Sequence, residues 1–116
     1  GWHIRITSTN AIRFLFVQDI TTHSFSDSTV QLTSGWHHVA TTWDGASSMH
    51  IYIDGVDVSG TRQTSGPLTS IANGGNVTVG TLAGVSIPFL GQMDQIRLFN
   101  VALTGSEINE LFQETD

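Results

Sequence analysis

GWHHVATTWDGASSMHIYIDG, residues 35–55, reads as the two strands of a β-hairpin. The strands are residues 37–43 and 49–53, and the small residues Asp44, Gly45, Ala46, Ser47 and Ser48 turn between them. Along the first strand Val39, Thr41 and Trp43 point one way, and His38, Ala40 and Thr42 the other. Along the second, Met49, Ile51 and Ile53 share a face, and His50 and Tyr52 share the opposite one. A period of two marks strands with one face against a core. Asp54-Gly55 then supplies the two positive-φ positions of a tight turn into a further short strand at 56–58. Trp36 and Trp43, beside Val39, are expected in the core.

Outward from the hairpin, the rest of the chain keeps the same character. Residues 2–6 (WHIRI) and 11–17 (AIRFLFV) read as two strands joined by Thr7-Ser8-Thr9-Asn10. In the second, Ile12, Phe14 and Phe16 alternate with Arg13, Leu15 and Val17, so both faces are partly apolar. One short strand is expected near 22–25 and another near 30–32. Residues 59–75 form a long polar loop with a short strand at its start, anchored by Leu68 and Ile71, and loops of that length often carry function. Residues 76–81 read as another strand, residues 84–89 as a loop, and Gly91 opens a final long strand. There Met93 falls out of phase with Ile96 and Leu98, and a bulge near Asp94-Gln95 would return all three to the core. Thr104-Gly105-Ser106-Glu107 is a capping box ahead of a short helix with Ile108, Leu111 and Phe112 on one stripe.

Composition bounds the class. The 116 residues fit one domain, which typically holds roughly 100–150. Twelve Gly, many Ser, Thr and Val, and only 12% charged residues describe a turn-rich all-β protein. Net charge is −6 with four Arg and no Lys, the wrong balance for a nucleic-acid backbone or an anionic membrane surface. No apolar run reaches the ~20 residues that span a bilayer, so no membrane insertion is expected. No signal peptide is evident, because the chain opens directly on a strand-like segment. Cysteine is absent, which removes disulfides, thiol nucleophiles and Cys-ligated zinc.

The hairpin together with GQMDQIRLFNVALTGSEINELF, residues 91–112, resembles the central hairpin, closing strand and final helix of laminin G-like domains. These belong to the concanavalin A-like jelly-roll group, with the pentraxins and many lectins. The resemblance implies an all-β fold, an antiparallel jelly-roll β-sandwich with a short C-terminal helix, over residues 1–116. It also implies a domain incomplete at the N-terminus, lacking the first strands of the family fold. Exposed sheet edges without Lys on them would then promote pairing between copies, so a homo-oligomer is expected. The implied function is non-catalytic recognition of carbohydrate or glycoprotein by a lectin-like module of a larger extracellular, cell-surface or virion-surface protein. A structural or adhesion module that binds protein and no sugar is the alternative. A degenerate glycoside hydrolase is a weaker one.

The residues bear on these readings unequally. Retaining glycoside hydrolysis needs two carboxyl groups about 5 Å apart, which neighbours i and i+2 on a strand provide. Glu107, Glu110 and Glu114 all fall in or beyond the terminal helix, and Asp54 and Asp57 bracket a turn. No Gly-x-Ser-x-Gly elbow occurs either. His37 and His38 face opposite sides of a strand, whereas His38 and His50 could approach across the hairpin, two ligands short of a zinc site. The sugar-binding candidates are His38, His50 and Tyr52 on the non-core face of the hairpin, joined by Arg13. Sugar rings stack on aromatic faces, and their hydroxyls bond polar side chains. By resemblance, a structural Ca2+ would be held by Asp94 with ligands from elsewhere, since calcium takes six to eight oxygens. The competing reading gives Asp94 to backbone N–H groups at the bulge.

Overall fold

The computed structural model describes residues 1–72, 74–81 and 87–114. Two antiparallel sheets face each other across an apolar layer. The first contains β1 (Trp2–Ile6), β2 (Ala11–Val17), β3 (His23–Gln31) and β7 (Gln63–Thr64), in the order β1-β2-β3-β7. The second contains β4 (Val39–Trp43), β5 (Met49–Ile53) and β6 (Val56–Asp57), in the order β4-β5-β6. A single helix, α1 (Gly105–Phe112), lies against the outer side of the second sheet among the described residues. The molecule is thus an all-β sandwich with one short helix, as the alternation predicts.

The hairpin forms as read. Val39 pairs with Ile53, Thr41 with Ile51 and Trp43 with Met49, so every core-facing residue of β4 meets a core-facing residue of β5. Asp54 (φ 52°) and Gly55 (φ 78°) occupy left-handed positions at the tight turn from β5 into β6, where Asp and Gly are the tolerated residues. The core joins Ile12, Phe14 and Phe16 of β2 to Met49, Ile51 and Ile53 of β5, with Trp43, Leu68 and Ile71 against it. The Trp43 ring lies 4.1 Å from that of Phe16 between centroids.

Strand β3 departs from expectation. Two short strands were expected there, yet residues 23–31 form one continuous strand, and its inward row is Ser24, Ser26 and Ser28. Each hydroxyl is engaged. Ser24 accepts from Arg62 Nε (2.6 Å), Ser26 donates to the Gly60 carbonyl (3.0 Å), and Ser28 accepts from the Ile12 N–H (3.0 Å). Burying a hydroxyl costs little when it is bonded. Small side chains also let the 59–64 segment close onto the strand: a Cβ on Gly60 would run into the Asp27 carbonyl.

Three other expectations are corrected. Trp36 is 67% exposed, outside the core, because β4 begins only at Val39. Residues 76–81 and 91–99 form no strand. Met93, Ile96 and Leu98 are exposed rather than returned to the core, although Gln95 does take a positive φ of 51°. An extended run becomes a strand only where a neighbouring backbone takes its N–H and C=O groups. Among the described residues these stretches make isolated bonds, such as Phe89 N–H to the Gly80 carbonyl (2.7 Å) and Arg97 to the Glu114 carboxylate (2.7 Å), and no ladder. Residues 84–86 of the expected 84–89 loop lie outside the described residues.

Candidate functional site

The hairpin's outer face is not open. Tyr52 is 6% exposed; helix α1 covers it, and a Cβ on Gly105 would touch its ring at 3.7 Å. The helix is set by its capping box, in which Glu107 N–H donates to the Thr104 hydroxyl (3.2 Å) and Thr104 N–H to the Glu107 carboxylate (3.0 Å). Ile108 is buried beneath it, and Phe112 reaches the turn at Gly55 and the His38 ring, 6.1 Å between centroids. The expectation that Tyr52 offers a free ring face is therefore corrected: the amphipathic stripe of α1 needed an apolar surface, and Tyr52 supplies it.

The two histidines of that face do not meet. His38 sits level with Asp54 and His50 opposite Thr42, four residues apart along β4, about 13 Å. Burial lowers the His38 pKa, with Asp54 pulling up and Arg97 pushing down. His50 Nδ1 instead bonds the Asp57 carboxylate at 2.9 Å. Burial would raise the Asp57 pKa, but the Ser59 hydroxyl and N–H together with His50 hold it below the usual range.

Arg13 belongs to the other sheet. It projects from the outer face of β2, where register places Arg13 beside Asp27, Leu15 beside Phe25 and Val17 beside His23. The guanidinium forks onto the Asp27 carboxylate at 2.6 and 2.8 Å and lies 4.2 Å above the Phe25 ring centroid. Bidentate pairing and cation–π contact both fix its plane. The Asp27 hydrogen bond raises the Arg13 pKa, and Arg13 in turn lowers that of Asp27. Beside them opens a concavity of about 310 Å3, walled by Arg13, Leu15, Val17, His23 and Phe25 with Asp19 and Ile20 on the rim. Asp19 accepts from the Thr21 hydroxyl and the Thr21 and Thr22 N–H groups, all at 2.8 Å, which hold its pKa at about 2. Arg5 faces Arg13 across the β1–β2 ladder, with His3 beside Leu15. Two of the chain's four arginines thus gather on one face of an acidic protein. Sequence reasoning found Arg13 but missed Phe25, His23 and Asp27. The signal was the Ser-x-Ser-x-Ser alternation, which turns Phe25 and Asp27 outward.

Two further clusters bring polar side chains together. Thr33, His37 and Asp54 have the connectivity of a hydrolase triad: His37 Nδ1 lies 2.8 Å from Asp54 Oδ2, and Nε2 lies 3.0 Å from the Thr33 hydroxyl. Yet Nε2 also lies 3.1 Å from the Thr33 carbonyl, which can only accept. Both ring nitrogens therefore donate, as in an imidazolium clamp rather than a general base. The Asp54 bond raises the His37 pKa accordingly. Asp94 accepts from the Gln95 N–H at 2.8 Å, beside the positive φ of Gln95. Among the described residues no three His, Asp or Glu side chains converge where a metal ion could sit. Among the described residues Asp94 thus offers a single carboxylate toward the six to eight oxygens that calcium takes.

Among the described residues no helix is long and apolar enough to cross a membrane. The family model described as "Concanavalin A-like lectin/glucanases superfamily", of laminin G type, matches residues 1–109. Among solved structures, an S-layer domain-containing protein from Clostridium thermocellum aligns with a TM-score of 0.56 at 23% identity. The alignment covers 97% of this chain and 64% of that one, so the chain spans about two thirds of its neighbour's length. At that identity the likeness speaks for the fold alone. No curated protein matches the sequence.

Proposed function

The chain belongs to the concanavalin A-like lectin/glucanases superfamily, and from that premise we propose that it is a non-catalytic recognition module for carbohydrate or glycoprotein. The observation that carries this reading is the concavity on the outer face of the four-stranded sheet, where Arg13 is locked flat over Phe25 by Asp27. Leu15, Val17 and the two rings offer an apolar floor for the C–H face of a sugar. The guanidinium, His23 and Asp19 offer directed partners for its hydroxyls. A concave, mostly apolar site with a few fixed polar groups is the usual form of a small-ligand site.

Hydrolysis is the weaker reading. Asp27 is taken by Arg13, Asp54 by His37, and Asp57 by His50 and Ser59. A catalytic acid and a nucleophile each need a carboxyl free to exchange a proton or attack. A larger surface-exposed parent protein fits both the family and the S-layer neighbour's name. The test is titration of a glycan panel onto the wild type and Arg13→Met, which keeps the aliphatic stem over Phe25 and removes the guanidinium. Loss of binding by tenfold or more, roughly the weight of a charge-assisted hydrogen bond, supports the site. Equal binding by both proteins removes it.

A further inference from the structure

Ile20 stands in the turn between β2 and β3 with 98% of its surface exposed. Solitary exposed apolar side chains are ordinary. What marks this one is its place, on the rim of the concavity and on a backbone fixed from three sides. Inside the turn, the Asp19 carboxylate accepts from Thr21 and Thr22, and the Gln18 N–H donates to the Thr22 carbonyl (2.9 Å). From beside β7, the Ser65 hydroxyl donates to the Thr21 carbonyl (2.6 Å) and accepts from the His23 N–H (2.8 Å). From the following loop, the Thr69 N–H (2.8 Å), the Thr69 hydroxyl (3.0 Å) and the Ser70 N–H (3.1 Å) all donate to Gln18 Oε1. The isoleucine is thus held out as a rigid apolar lip.

The polar groups of the concavity divide by role. Arg13 commits Nε and Nη2 to Asp27, which leaves Nη1 as a donor. The Ser65 proton goes to Thr21, so His23 Nδ1, 3.3 Å from that oxygen, is the donor between them. Its Nε2 is then an acceptor. Charge on this face is already balanced, Arg5 and Arg13 against Asp19 and Asp27, so an uncharged ligand suits it. Leu15, Val17 and Ile20 carry no polar side-chain atom. A sugar hydroxyl turned to them loses water without a replacement partner, whereas a methyl in the same place gains by burial.

Resting on the glycan site proposed above, we propose that Ile20 makes it selective for a neutral 6-deoxyhexose, a sugar with a methyl where a hexose has its 6-hydroxymethyl. The ring lies with its C–H face over Leu15 and Val17, its hydroxyls between Arg13 Nη1 and His23 Nε2, and its methyl against Ile20. A volume of about 310 Å3 is at the small end of the ~300–1,000 Å3 of small-ligand sites, which fits one sugar residue rather than a length of polymer. An N-acetyl group would also bring a methyl, but with an amide that finds no partner at the lip.

The test is an NMR titration with matched methyl glycosides: fucoside with galactoside, rhamnoside with mannoside, quinovoside with glucoside. Each pair, taken in one enantiomeric series, differs only in the 6-hydroxyl. Apolar pockets discriminate against one added hydroxyl by about 100-fold at most, so about tenfold is expected at an open site for the deoxy member of at least one pair. Ile20→Ser, at a fully exposed position, should bring that ratio to about one with little change for the hexoside. Equal affinity within every pair overturns the selectivity and leaves the glycan site standing, as does a preference that Ile20→Ser retains. Binding of other glycans but of no 6-deoxyhexose also overturns the selectivity alone. A folded protein that binds no glycan overturns the site with it.

Discussion

His37 and His38 are neighbours in sequence and opposites in chemistry. His37 reaches Asp54, whose carboxylate raises its pKa above the ordinary 6.5, and His38 is driven below that value by burial under α1. The linkage signs follow. The His37 contribution is complete below the unfolded value near 6.5 and is lost as pH rises through the higher folded value. The His38 contribution is complete above about 6.5 and is lost as pH falls through the lower folded value. Burial would raise the Asp54 pKa, but the His37 imidazole and the His38 N–H lower it below 3.8, so its own contribution disappears only as pH falls through that lowered value. A proton NMR titration should therefore show two imidazoles on opposite sides of 6.5. Asp54→Asn, which tolerates the left-handed φ, should move His37 back toward 6.5 and leave the fold intact. A His37 that ignores that substitution would disprove the clamp.

At the level of elements, local order was legible and long-range partnership was not. The hairpin, the Asp54-Gly55 turn and the Thr104–Glu107 box depend on residues within a few positions of one another, so their patterns can be read directly. Thr104→Ala should cost about 1 kcal/mol of stability in a urea melt. A cost near zero would show that α1 is held by Ile108 and Phe112 rather than by its cap. Residues 76–81 and 91–99 have strand-like alternation, yet a strand is made by its neighbour, and no pattern within a segment states whether a neighbour is there. Strand β3 shows the reverse. Its core face is serine, so no hydrophobic alternation marked it as one strand, and Phe25 and Asp27 of the candidate site were missed. The inward serines answer to Gly60, and Gly60→Ala should lower stability by about 1–3 kcal/mol through overpacking against the Asp27 backbone. Tolerance of that alanine would mean the 59–64 segment is not packed as described.

For the whole molecule, the two sheets offer different surfaces. The four-stranded sheet carries Arg5, Arg13 and the concavity on its outer face, and the three-stranded sheet gives its outer face to α1. The superfamily hosts both binding and catalysis, so fold alone does not choose between them, and the choice rests on Arg13 and Phe25. The most direct measurement is glycan-array binding of the wild type, Arg13→Met and Tyr52→Phe, each in calcium and in EDTA. Binding of a glycan by the wild type and Tyr52→Phe, unchanged by EDTA and lost in Arg13→Met, is the expected result. Binding that survives Arg13→Met, or a folded wild type that binds no glycan, would contradict it.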